Sequence, residues 1–253
     1  MNWIGLWTLI RREVGRFFSV YRQTVLPGLI SSALYILIFG FTLEQRISEI
    51  QGVSYTWFIL PGLIMMNTLT NATSNTASSM LQMKLLQQLP DLLTAPLSGF
   101  EIALSYIIGG AVRGLVNGTL VLLLGVLLNK LPVIDPVGTI AFIFLVSWAF
   151  ASMGLVLGQL ADSWDQLAMM QNFFLTPLSF LGGIFYSIQM LPEWAQSLSF
   201  FNPIYYMING IRYTILGISD SSISFSFWMA VALTIIFSAT AMLLMQSGEK
   251  IKQ

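Results

Sequence analysis

Residues 101–128 read EIALSYIIGGAVRGLVNGTLVLLLGVLL. After Glu101 at its start, Arg113 is the only charged residue in the stretch. A helix rises 1.5 Å per residue, so this segment is long enough to cross a hydrocarbon core of about 30 Å. Strands that cross membranes alternate apolar and polar residues, and this continuous apolar run does not. Outward from it in both directions, five further stretches meet the same requirement: 24–43, 55–80, 137–160, 167–186 and 225–245. The fold class that follows is all-α. The expectation is a polytopic membrane protein of six transmembrane helices, with residues 1–253 forming one domain.

Composition agrees. Hydrophobic residues make up 56% of the 253, charged residues 9%, and mean hydropathy is +0.78. A soluble domain carries about 25% charged residues to coat its surface, so lipid is the natural solvent here. Net charge is zero, which gives nucleic acid nothing to bind. Cysteine and histidine are both absent. Disulfides, thiolate chemistry, most zinc sites and Ser–His or Cys–His dyads are thereby excluded. No G-x-x-x-x-G-K-[ST] or G-x-G-x-x-G occurs, so the chain builds no phosphate cradle of its own. Asp162 and Asp165 lie outside the apolar runs, so no paired acids sit within the membrane. The reading is a non-enzyme that binds no cofactor or metal.

Residues 1–23 place Trp3, Ile4, Leu6, Trp7, Ile10, Val14, Phe17 and Phe18 among Arg11, Arg12, Glu13 and Arg16. Near-helical spacing of the apolar set predicts an amphipathic helix in the interface, with tryptophan at headgroup depth. No cleavable signal peptide is expected, because no short apolar region with a small-residue cleavage site follows Arg11-Arg12. Orientation follows the basic residues. Arg11, Arg12, Arg16 and Arg22 precede the first span, Lys84 follows the second, and Lys250 and Lys252 close the chain. Both termini are therefore expected in the cytoplasm. The opposite loops hold Arg46 and Lys130, each near acids (Glu44, Glu49, Asp135). Between 188 and 220 the chain is apolar but broken by Pro192 and Pro203 into pieces too short to span. Two short helices that dip into the outer leaflet and return are expected there.

Four features could carry function. Asn67, Asn71, Asn75 and Ser79 recur at four-residue steps, with Thr70 and Ser74 beside them. Residues at this spacing share one helical face, and a polar face does not look into lipid. Asn67, Thr70, Asn71, Ser74 and Asn75 either line a translocation path or hydrogen-bond a neighbouring helix. Gly110, Gly114 and Gly118 form a small-xxx-small seam, for packing inside one subunit or between two. Arg113 lies about 18 Å along the helix from Glu101, out of its reach, so it meets another helix or a cavity. Last, residues 85–99, LLQQLPDLLTAPLSG, sit in the expected cytoplasmic segment 81–100. Pro90 with Asp91 suits the first turn of a short helix, and Leu92 and Leu93 give it an apolar face fit for docking or for the membrane surface.

The chain resembles the membrane permease subunit of ABC-2 type exporters, the small bacterial six-span permeases that work with a separate ATPase. Leu175, Leu178, Leu181-Gly182, Leu191-Pro192, Pro203-Ile204, Tyr206 and Arg212 stand at the spacings of the family signature. The segment Pro90, Asp91, Leu92, Leu93, Ala95 and Pro96 is similar to its coupling loop. The resemblance implies a homodimer in the bacterial cytoplasmic membrane. It also implies two copies of an ABC ATPase that bind ATP and Mg, a re-entrant outer hairpin at 188–220, and an amphiphilic substrate such as a lipid, polysaccharide or drug. Two other readings stand beside it. A stand-alone secondary transporter needs acids or ion sites within the membrane. A structural membrane subunit needs the glycine seam but not the polar stripe.

Overall fold

The computed structural model describes residues 2–40 and 49–247. Residues 41–43 of the first expected span, Glu44 and Arg46, and Lys250 and Lys252 lie outside the described residues.

Helix α1 spans Trp3–Ser19, its first turn closed by the Asn2 side chain accepting from the Gly5 N–H. Helix α2, Tyr21–Tyr35, continues through a π-helical turn at Ile36–Gly40. A two-residue antiparallel pair follows, β1 (Glu49–Ile50) with β2 (Val53–Ser54). Its turn, Gln51-Gly52, has positive φ at both positions, the geometry of a type I′ hairpin. Ser54 then caps the long helix α3, Tyr55–Leu85. Helix α4 is the short Leu89–Thr94, opened by proline in its first turn.

Ser98 and Glu101 form a reciprocal capping box that starts α5, Gly99–Asn129. Asp135 and Pro136 start α6, Pro136–Leu160. Helix α7 runs Trp164–Leu181, capped by Ser163. It stops short of residue 186 because the Gly182 N–H turns back to the Ser179 carbonyl and Gly183 takes a positive φ. After a 3₁₀ turn at Ile188–Met190 come α8 (Glu193–Phe200), α9 (Pro203–Leu216) and α10 (Ile223–Ser247).

Among the described residues, four helices are long and apolar enough to cross a membrane: Tyr21–Gly40, Gly99–Asn129, Pro136–Leu160 and Ile223–Ser247. Helix α3 is equally long, but its polar stripe dilutes its hydropathy. Helix α7 is 18 residues and carries Asp165, Gln166, Gln171 and Asn172.

Helices α3, α5 and α6 form the centre, and small residues set how closely they approach. A Cβ at Gly110 would meet Thr76 and Ala151 at 2.5 and 2.8 Å. One at Gly114 would meet Ala72 and Ser147, both at 2.8 Å, and one at Gly118 would strike Thr68. The seam therefore packs α5 onto α3 and α6 of the same chain. Buried threonines tie α3 to α6 across it: Thr73 donates to the Phe150 carbonyl at 3.2 Å and Thr76 to that of Ala151 at 2.7 Å.

One end of the bundle gathers α1, α4 and the end of α10. The Asn2 N–H donates to Glu101 at 2.6 Å, and Gly99 abuts Met245. There Lys84 donates to the carbonyls of Gln159 in the last turn of α6 and of Ala161 just after it, and pairs with Asp162 at 3.1 Å. The first and last described residues thus share an end. The opposite end holds the hairpin, α8 and the start of α10.

Candidate translocation cleft

The polar stripe of α3 opens onto a cleft of about 310 Å³ between α2, α3 and α5. Asn67, Thr70, Asn71 and Ser74 line it from α3, and Arg113 from α5. Asn67 donates to Ser32 at 2.7 Å, which sets the register of α2 against α3. Gly28 permits the approach, since a Cβ there would strike the Asn67 side chain. The other flank of the stripe meets α7: Ser74 donates to Gln171 at 3.3 Å, and Thr70 also borders a small gap with Asn172 and Thr176. The stripe therefore runs between α2 and α7, serving both as an interhelical contact and as a cleft wall.

Arg113 meets another helix and a cavity at once. Its Nε and Nη2 donate to Asn71 Oδ1 at 3.2 and 3.1 Å, and Nη1 reaches Asn75 Oδ1 at 3.5 Å. Among the described residues it has no carboxylate partner. Asn75 also accepts from Arg16 of α1, at 2.8 Å on its carbonyl and 3.2 Å on Oδ1. It stands between two clefts, because Arg16 borders a second one of about 190 Å³ with Arg12, Glu13, Ser79, Gln82 and Gln88. Within that space Glu13 is only 1% exposed. Arg12 donates to it at 2.8 Å, Ser79 at 2.7 Å, and Arg16 pairs with it at 3.7 Å. Burial opposes the charge of Arg12, yet Tyr106 and Glu13 beside it raise its pKa above the ordinary arginine value.

Sequence reading missed this cluster. It read α1 as an interfacial helix; α1 leaves Trp3, Ile4, Trp7 and Phe18 exposed on one side while it buries Leu6, Leu9 and Phe17 on the other and packs along α5. The available signal was Glu13, an acid inside an otherwise basic helix.

Helix α4 presents Pro90, Asp91 and Thr94 to solvent, with Pro96 exposed just after it and Ala95 half-buried. Leu92 turns inward with Leu89 into the main core, so it is not part of the outward face. The signature residues cluster at the far end. Pro192 and Pro203 start α8 and α9, with Leu191 half-buried just before Pro192. Tyr206 donates to the Phe200 carbonyl at 2.9 Å, holding those two helices together. Gly182 lets Ile208 approach. Arg212 is fully buried: it pairs with Asp220 at 3.2 Å, donates to the Gly183 carbonyl at 2.7 Å and lies 3.9 Å over the Phe58 ring. It thereby ties α9 to the end of α7, to α3 and to the entry of α10.

The sequence matches the ABC-2 type transporter family over residues 5–216. The chain belongs to that family. The permease is 37% identical to the inner membrane transport permease YadH of Escherichia coli (strain K12) over 252 residues, 100% of this chain and 98% of that one. It is 27% identical over 218 residues to nodulation protein J of Rhizobium leguminosarum bv. viciae, covering 86% and 83% of the two chains. It is 24% identical over 217 residues to nodulation protein J of Rhizobium meliloti (strain 1021), covering 85% and 82%. It is a membrane transport subunit rather than an enzyme. Its apolar helices suit a bilayer.

Proposed function

We propose that this permease is the membrane-spanning half of an ATP-driven exporter in a bacterial inner membrane, paired with a separate ABC ATPase. In this reading α2, α3, α5, α6, α7 and α10 are the six spans. Helices α8 and α9 form the re-entrant outer hairpin, and both termini face the cytoplasm. Two copies of the permease meet over the stripe of α3, and two ATPase copies bind ATP and Mg and dock on Pro90, Asp91 and the neighbouring outward face of α4. The substrate is amphiphilic. The relative named as an inner membrane transport permease supports the location and the role.

The observation that carries this reading is the polar cleft itself. A structural subunit has no use for a mid-membrane hollow lined by asparagines, threonine and arginine. A secondary carrier needs a titratable acid there, and the sequence provides none in the stripe. Energy therefore comes from a partner. Closure of the ATPases pushes α4, and α4 joins α3 to α5 directly, so the push reaches Asn71 and Arg113 together.

The test is co-purification of the tagged permease from its native membranes in mild detergent. A P-loop ATPase recovered in equal amount is expected. Recovery of the permease alone, with solute uptake into proteoliposomes that needs no ATP, would overturn the reading. In the reconstituted complex Asn71→Leu is expected to lower transport at least tenfold while the complex stays assembled.

A further inference from the structure

We propose that the cleft between α2, α3 and α5 binds an anionic group, a phosphate or sulfate ester, at its inner end. Arg113 is the counter-ion, and the substrate's apolar part lies toward the outer end. The inference rests on reading this cleft as the substrate path and adds the substrate's chemistry.

The first ground is charge. Arg113 lies near the middle of a 31-residue helix, about 21 Å from its start and about 24 Å from its end. A cation at that depth pairs with an acid, faces water or awaits an anion. Its partners, Asn71 and Asn75, are amides whose dipoles solvate the guanidinium without neutralising it. The next charge along is Arg16, also positive and sharing Asn75. Arg12, Arg16 and Arg113 have one nearby carboxylate among them, Glu13, and Glu13 is already taken by Arg12, Arg16 and Ser79. The region therefore holds an excess of positive charge that no described residue balances.

The second ground is donor capacity. A guanidinium has five N–H donors, and Arg113 commits three at most, one of them at 3.5 Å. The planar fork suits tetrahedral oxyanions, which accept two parallel hydrogen bonds.

The third ground is the grading of the walls. At the inner end stand Gln23, Thr24 and Ser74 with Arg113. At the outer end stand Tyr35, Leu63 and Met66. The Asn67–Ser32 contact fixes this antiparallel order of α2 and α3. A molecule with a charged head and an apolar tail matches that gradient in one orientation.

The test is equilibrium binding of dihexanoyl phosphatidate to the full chain in neutral detergent, without ATPase or ATP. Dihexanoylglycerol serves as the uncharged control and inorganic phosphate as competitor. Arg113→Gln keeps a polar side chain beside Asn71 and is expected to weaken phosphatidate binding at least tenfold while leaving the weak diacylglycerol binding unchanged. Arg113→Lys is expected to retain affinity within a few-fold. Arg11→Gln removes the same charge from an exposed site and is expected to change nothing. Competition by phosphate at concentrations like those of the lipid assigns the site to a free anion, and weak competition assigns it to a lipid-borne head group. Both outcomes support the anion site. Equal phosphatidate affinity of Arg113→Gln and the unaltered chain, with both eluting as one sharp species, overturns it. That result leaves the path reading intact, since the latter is decided by transport in Asn71→Leu.

Discussion

Arg212 and Arg113 are both guanidinium groups among membrane helices, and they solve the problem of charge burial in opposite ways. Arg212 is neutralised and enclosed: Asp220 pairs with it, the Gly183 carbonyl and the Phe58 ring surround it, and Asp220 in turn accepts from Ser187 at 2.7 Å and from Gln51. Such a closed pair does not bind ligands. Removing one partner strands the other, so Asp220→Ala is expected to cost about 3–5 kcal/mol of stability. Replacing both, as in Arg212→Met with Asp220→Leu, is expected to cost less than Asp220→Ala alone, and thermal unfolding in detergent orders the variants. Packing is as strict in the seam. Gly114→Leu puts a branched side chain where even a Cβ sits 2.8 Å from Ala72, and a loss of about 1–3 kcal/mol or more is expected in the same assay. The depth of Arg113 and the four-residue period of the asparagines were legible in sequence, because both are local. That Arg113 meets Asn71 and Asn75 was not, because it depends on how α3 and α5 are rotated about their axes. The partner of Arg212 was equally hidden, since Asp220 belongs to a loop with no periodicity of its own.

Helices α1 and α4 show how much an element's neighbours alter its meaning. The apolar spacing of α1 was readable and its amphipathic character follows, but an interfacial helix and a docked one share that pattern. Glu13 marks the docked side: it is buried against Ser79, 66 residues away in sequence, while Trp3, Ile4 and Trp7 stay exposed. Glu13→Gln leaves Arg12 and Arg16 facing each other without a carboxylate. Faster amide exchange along residues 3–19 is the expected result, with α5 and α6 unaffected. Helix α4 was legible through Pro90 and Asp91, whereas its Leu92 turned out to serve the core. Asp91 is the one charge of the helix and is exposed. Asp91→Lys is expected to change stability by less than about 0.5 kcal/mol, since the residue is exposed. If α4 docks on an ATPase, the same change abolishes substrate-stimulated ATP hydrolysis in the reconstituted complex. Unchanged stimulation would leave α4 a mere link between α3 and α5.

At the scale of the whole molecule the decisive fact is that a polar groove runs along one side of the chain. Helices α2 and α7 flank the α3 stripe and bury little of themselves: Phe173 of α7 is 74% exposed, and Leu26, Ile30 and Leu34 of α2 are exposed as well. Helix α10 also presents apolar residues, Trp228 and Leu243 among them, but it lies on α6, away from the stripe. Lipid satisfies an apolar face and does not satisfy a groove of asparagines and arginine. If the permease pairs as proposed, a second copy laid across α2 and α7, the first and fifth spans that the family resemblance points to, would enclose the groove and leave α10 to the bilayer. The sequence makes the test unusually direct, because the chain has no cysteine. Between copies of this chain an introduced thiol can then bond only to its twin, and such a disulfide dimer forms only where the two Cα atoms come within about 7 Å. In native membranes under mild oxidation, single cysteines scanned from Met169 to Phe174 along α7 and from Leu26 to Leu34 along α2 are expected to give disulfide dimers at helical period. Leu243→Cys on α10 is expected to stay monomeric. Cross-linking confined to α10 would move the dimer contact to the other side of the bundle and leave the polar groove facing lipid. The proposed path could not survive that arrangement.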